Sequence, residues 1–147
     1  DRDDVARGAL DALDVVSIVR ATVREGCVAE TISAAQAAIA RDACADPALR
    51  ALLAGVAEDE ARHAALAWRF VRWAIGRDES LRAVVEAELA RPLELPEAAP
   101  EADAGLLRAF GVMPDDELNA TAREIHARVV TPCGRALLAV PEDQPAA

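Results

Sequence analysis

Residues 42–47 read Asp-Ala-Cys-Ala-Asp-Pro, and they separate two long stretches that contain no internal proline. The first stretch, residues 9–41, is predicted to form one long helix. Asp46 and Pro47 are typical of the N-cap and the first position of a second helix, which we expect to extend to about residue 75. Because the connection is so short, the two helices are predicted to lie antiparallel as a hairpin.

The downstream sequence predicts shorter helices at residues 79–90, 105–110 and 114–130, the last of them ended by Pro132. Three prolines among acidic residues and alanines indicate an extended linker. We therefore expect an all-α chain with four parts. These are a hairpin and short helix at 1–90, a linker at 91–103, C-terminal helices packing on the bundle at 104–140 and a disordered tail at 141–147.

The composition limits the possible partners. Apolar residues make up 53% of the chain and aromatic residues only 3%, which favours closely packed helices because much of the apolar total is alanine. The net charge of −10 provides no positive field for a phosphate backbone, so no nucleic-acid partner is expected. No run approaches the roughly 20 apolar residues that span a membrane, so no span is expected. Cys27 is expected to be a small core residue.

Polar residues interrupt the apolar stripe of each long predicted helix. Glu25 lies in the stripe of the first helix, and Glu60 and His63 lie in that of the second. The apolar members are Ile18, Ala21, Val28, Ile32, Ala35 and Ile39 in the first helix and Leu53, Val56, Ala67, Phe70 and Ala74 in the second. Residues equally far from the turn lie at the same height, which places Glu25 near His63 and Glu30 near Glu60.

Carboxylates that face each other inside a hairpin need a compensating charge. A cation bound by glutamate oxygens and a neutral imidazole provides it, and Glu-x-x-His places both side chains on one helix face. In helical bundles, one glutamate opposite Glu-x-x-His forms half of a di-iron or di-manganese site. Glu25 and Glu30 would lie about 140° apart on an α-helix. We favour Glu25 as the ligand because its stripe is more apolar, with Glu30 as a second ligand or a nearby hydrogen-bond acceptor.

The run Glu25-Gly-Cys-Val-Ala-Glu-Thr31, followed by Asp59-Glu-Ala-Arg-His-Ala-Ala-Leu-Ala-Trp68, resembles the second hairpin of bacterial ferritin-like domain proteins. The second predicted helix is also similar to that of two-helix encapsulated ferritins, an alignment that instead puts the single glutamate ligand at Glu30. The resemblance covers roughly residues 20–75. It implies a ferritin-like helical bundle that binds iron as a di-iron centre, with manganese as the alternative metal, and that carries out iron oxidation or another oxygen-dependent oxidation.

The family's site needs two half-sites, and the C-terminal Glu124-Ile-His126 does not supply the second because its i, i+2 spacing points the two side chains to different faces. A missing N-terminal hairpin or a homodimer partner is therefore expected to complete the bundle. The alternative is a metal-free or degenerate ferritin-like module with a structural or interaction role. In that case the glutamates would pair with arginines, and Arg20 and Arg24 are the candidates near Glu25.

Overall fold

The computed structural model describes residues 14–98 and 103–139, and every regular element within these ranges is a helix. The predicted all-α class is therefore confirmed for this part of the chain. Three predictions fall on other residues: helix at residues 9–13, the end of the C-terminal helices at residue 140 and the tail at 141–147 lie outside the described residues.

The first long helix, α1, is continuous over residues 15–43 but changes its hydrogen-bond pattern twice. Its side-chain cap is Asp14, which accepts a 2.7 Å hydrogen bond from the backbone N–H of Ser17. The three consecutive segments are α-helical Val15–Ala21, π-helical Thr22–Ala29 and α-helical Glu30–Ala43. The single helix was predicted, whereas the π-helical segment was not.

The second long helix, α2, is Pro47–Arg77 and packs along α1. It begins as predicted, because the Asp46 carboxylate accepts hydrogen bonds from the backbone N–H groups of Ala48 and Leu49. The two helices approach each other closely at Gly26 of α1. A Cβ atom on this glycine would lie 2.4 Å from the Cβ of Ala67, so no larger residue fits without separating the helices.

Three helices follow. The first two are short and start and end within two residues of the predicted positions, and the third is longer than predicted. They are α3 at Leu81–Leu89, α4 at Ala104–Ala109 and α5 over residues 115–138. The segments of α5 are α-helical Asp115–Ile125, π-helical His126–Val130 and α-helical Thr131–Leu138. Of the predicted linker, residues 91–98 are described and are not helical.

The prediction that Pro132 ends the last helix is wrong, because α5 continues to Leu138. The preceding turn is π-helical, and the Thr131 N–H donates to the carbonyl of His126, five residues earlier. Pro132 is therefore the second residue of a new α-helical segment. The missing N–H of Pro132 removes one backbone hydrogen bond from the continuous helix but does not end it.

The core between α1, α2 and α3 uses a different stripe of α1 from the predicted one. Val19, Val23 and Cys27 are each 0% exposed. Of the predicted stripe, Ile32 is buried as expected, whereas Ile18, Glu25 and Ile39 are exposed. Steps of four residues drift around an α-helix but stay closer to one face where the turn is wider, as in a π-helix. The buried residues that form this core with Val19, Val23 and Cys27 are Ala67, Val71, Ala74 and Ile75 of α2 and Leu81 and Val85 of α3.

Among residues 14–98 and 103–139, no helix combines the length and the apolar character that crossing a membrane requires.

Candidate metal centre

The structure brings three of the predicted site residues together on the hairpin. Glu30, Glu60 and His63 each offer one ligand atom, and these atoms lie within 4.8 Å of one another. The Nδ1 atom of His63 is 3.7 Å from a Glu60 carboxylate oxygen and 4.0 Å from one of Glu30. Two carboxylates and one imidazole are therefore close enough to bind the same cation.

The two α2 residues meet because of local helix geometry. Glu60 and His63 are three residues apart in the middle of α2, and residues at this spacing share one face of an α-helix. Their placement follows from the regularity of α2, which has no internal proline or π-helical turn between Pro47 and Arg77. The Glu-x-x-His motif was therefore recognisable from sequence.

Glu30 reaches the cluster at the point where α1 returns from π-helical to α-helical geometry. Its backbone N–H donates to the carbonyl of Glu25, five residues earlier. A π-helical turn holds more residues than an α-helical turn, so the helix after it is rotated relative to the helix before it. The angle of about 140° expected for a regular α-helix therefore does not describe these two glutamates.

Glu25, which the sequence favoured as the ligand, is not part of this cluster. Its side chain is exposed on the π-helical segment, whereas Glu30 is partly buried beside α2. Of the two glutamates considered, the structure thus places Glu30 with Glu60 and His63.

The two carboxyl groups of the cluster interact with each other. A hydrogen bond with Glu60, partial burial and the charge of Glu60 raise the pKa of Glu30, and His63 opposes this rise. Glu30 therefore holds its proton more tightly than an isolated glutamate does. A bound cation would replace this proton as the compensating charge.

The cluster is open to solvent on one side. The side chains of Glu30 and Glu60 are 31% and 28% exposed, and that of His63 is 64% exposed. Exposed apolar side chains flank His63 along the same face of α2, at helical spacing. We call this surface the outer face of α2, and it comprises Leu52, Val56, His63, Leu66 and Trp73.

A hydrogen-bonded contact next to the cluster was not predicted from sequence. The Thr31 hydroxyl donates to the Cys27 carbonyl at 2.7 Å and accepts from the Trp68 indole N–H at 3.3 Å. This contact ties the α1 residue adjacent to Glu30 to α2. Neither the threonine nor the tryptophan belongs to a metal-binding motif, so only their proximity in the fold shows that they connect α1 to α2.

The arginines that were candidates to pair with the site glutamates lie elsewhere. The Nε atoms of Arg20 and Arg24 are 3.5 and 3.6 Å from the carboxylate of Glu88 on α3. Glu88 was not singled out in the sequence. Glu124, also considered above, pairs with Arg128 at 2.7 Å within α5.

Comparisons of the chain with models of protein families, with curated proteins and with solved structures found no match.

Proposed function

We propose that this chain is a ferritin-like, non-haem di-iron or di-manganese carboxylate protein, and that Glu30, Glu60 and His63 form half of its metal site. The observation that carries the proposal is the convergence of their ligand atoms within 4.8 Å. Carboxylate oxygens with one imidazole nitrogen suit iron and manganese. The proposed activity is iron oxidation or an oxygen-dependent oxidation, because bound iron would supply one-electron chemistry toward O₂ or peroxide.

Each residue of the cluster has a distinct task in this proposal. Glu30 and Glu60 hold the cation through their oxygens, and the raised pKa of Glu30 makes metal binding compete with protonation of that residue. His63 binds as the neutral imidazole and lies on the solvent side of the cluster, where small oxidants and metal ions enter. The hydrogen bond from the Trp68 indole N–H to the Thr31 hydroxyl joins α2 to α1 beside this arrangement.

A second copy of the chain is the proposed source of the other half-site. A cluster of one imidazole and two carboxylates leaves metal coordination positions open, and a symmetric copy supplies the same three groups again. The outer face of α2 surrounds His63 with exposed apolar side chains, of which Leu66 is 60% and Trp73 55% exposed. A second hairpin on this face would bury them. An upstream hairpin of the same chain is the competing way to cover it.

The test is metal content after anaerobic reconstitution with Fe(II), measured by inductively coupled plasma mass spectrometry. We expect bound iron in the wild type, little in Glu30→Ala or in Glu60→Ala/His63→Ala, and wild-type iron in the matched control Glu25→Ala. Light scattering on the same samples gives the oligomeric state. A wild type that binds no iron as a dimer would contradict the metal proposal, and an iron-bound monomer would contradict the second copy.

The metal-free module is the second candidate, and the interaction between Glu30 and Glu60 favours it. The raised pKa of Glu30 favours its neutral form, which lowers the charge of the two carboxyl groups without a cation. This candidate first suggested that Arg20 and Arg24 pair with the site glutamates, but both arginines contact Glu88 instead. Equal thermal stability with and without Fe(II) or Mn(II) would support it, because a ligand that binds only the folded state must stabilise that state.

A further inference from the structure

Three arginines outside the candidate metal centre converge on one carboxylate. The Nε atoms of Arg20 and Arg24 on α1 lie 3.5 and 3.6 Å from the carboxylate of Glu88, near the end of α3. The Nε atom of Arg91 lies 3.9 Å from the same carboxylate. The chain has 26 acidic and 16 basic residues, so a local excess of arginine runs against its composition. We call Arg20, Arg24 and Arg91 the arginine cluster.

The guanidinium groups of the arginine cluster keep their hydrogen-bond donors. Their approaches to Glu88 are longer than an ordinary N–H···O hydrogen bond of about 2.9 Å. Among residues 14–98 and 103–139, no N–H of the three side chains forms a hydrogen bond with the protein. The side chains of Arg20, Arg24 and Arg91 are 52%, 50% and 50% exposed. Each Nε atom faces Glu88, so the terminal Nη groups can reach a ligand from the solvent.

The charges around the arginine cluster leave a positive excess. In the described ranges, only two carboxylates lie within 4.0 Å of its nitrogen atoms, those of Glu88 and of the exposed Glu94 beside Arg91. The Glu88 side chain is only 10% exposed, and its Oε2 atom is buried. An anion that approaches from the solvent therefore meets the guanidinium groups before it meets Glu88. Like charges held close together repel each other, and a bound anion lowers this repulsion.

The spacing of the guanidinium groups favours a phosphate group over a carboxylate. Arg24 and Arg91 approach the same Glu88 oxygen, so their Nε atoms cannot lie farther apart than these two distances combined. A phosphate that accepts a hydrogen bond of about 2.9 Å on each side bridges a gap of this size. Its terminal oxygens point in different directions and carry about two negative charges, whereas a carboxylate has its oxygens in one plane and carries a single charge.

We propose that the arginine cluster binds a phosphate group, carried by inorganic phosphate, a soluble phosphomonoester or a lipid headgroup. The Nη groups of Arg24 and Arg91 donate to its oxygens, and Arg20 adds positive charge and further donors. Glu88 holds the three guanidinium groups together without contacting the ligand. No residue of the metal centre takes part, so the proposal does not depend on metal binding.

Isothermal titration calorimetry on the metal-free full chain tests it with inorganic phosphate and acetate at one ionic strength, because salt screens exposed charges. We expect phosphate to bind at least about tenfold more tightly than acetate, and Arg24→Gln/Arg91→Gln to weaken phosphate binding at least about tenfold. The matched control Arg72→Gln/Arg123→Gln removes the same charge from two exposed arginines outside the cluster and should leave phosphate binding unchanged.

Two further probes identify the source of the phosphate group. Glycerol 3-phosphate is titrated in the same way, and phosphatidylcholine vesicles with and without phosphatidic acid are tested by co-sedimentation. Binding of a soluble phosphate supports a solute. Co-sedimentation that needs phosphatidic acid and is lost in Arg24→Gln/Arg91→Gln supports a lipid headgroup.

Circular dichroism shows whether each variant folds. If Arg24→Gln/Arg91→Gln is unfolded, Arg91→Gln alone decides, since residue 91 follows the end of α3, and it should weaken binding about tenfold. The proposal is overturned if inorganic phosphate, glycerol 3-phosphate and phosphatidic acid vesicles all fail to bind. It is also overturned if acetate binds as tightly as phosphate, or if the folded cluster variant binds like the wild type.

Discussion

Gly26→Ala perturbs a close approach of α1 and α2. The new Cβ atom would lie 2.4 Å from the Cβ of Ala67, whereas carbon atoms in contact are about 3.5–4.0 Å apart, so the helices must separate by about 1 Å. Overpacking of this kind costs about 1–3 kcal/mol. Alanine recovers up to about 1 kcal/mol through its higher helix propensity. We expect a net loss of about 1–2 kcal/mol in the free energy of unfolding.

Urea denaturation followed by circular dichroism measures this loss, and Gly55→Ala is the matched control. A Cβ atom on Gly55 meets nothing within 4 Å, so only the gain in helix propensity remains and the control should be more stable by about 1 kcal/mol. The double variant Gly26→Ala/Ala67→Gly should recover at least about 1 kcal/mol through the relieved contact. If Gly26→Ala unfolds at the same urea concentration as wild type or a higher one, the close approach does not constrain the hairpin.

Two further predictions concern titratable groups. The interaction with Glu60 and partial burial raise the pKa of Glu30, so this group stabilises the metal-free fold below its usual pKa and loses that contribution as the pH rises through the raised value. Glu30→Gln should therefore be more stable than the metal-free wild type at pH 7 but not at pH 4, as measured by thermal unfolding. An equal difference at both pH values would contradict the raised pKa of Glu30. Burial, with a smaller effect of Cys133, raises the pKa of Cys27 to about 12. In native protein at pH 8, Ellman's reagent should therefore modify the exposed Cys133 quickly. Cys27 should stay unmodified until denaturant is added. If mass spectrometry detects rapid modification of Cys27 in native protein, the α1 core opens readily.

The helix boundaries of the hairpin could be predicted because they depend on nearby residues. The Asp46 side chain bonds to N–H groups two and three residues ahead, and Pro47 has the backbone angle of a first helical residue. The pairing of Glu60 with His63 is also local, since their spacing alone places them on one face of α2. Cys27 was correctly predicted to be a core residue, on the basis of its residue type.

The stripe of α1 and the continuation past Pro132 could not be predicted in the same way. Both depend on π-helical segments, at Thr22–Ala29 and His126–Val130, that a pattern based on 3.6 residues per turn does not contain. The α1 segment changed which glutamate joins the cluster. The regular-helix angle placed Glu25 and Glu30 on different faces, and the more apolar stripe favoured Glu25, whereas the fold places Glu30 beside Glu60.

The sequence by itself determined the helical class, the turn between the long helices and the Glu-x-x-His half of the candidate site, because each of these follows from spacing within a few residues. Only the tertiary structure decided that Glu30 joins that motif and that Arg20, Arg24 and Arg91 gather around Glu88. These contacts join residues on different helices. Their formation depends on how closely the helices approach and on how each is rotated, and helix rotation is set by packing across the whole bundle.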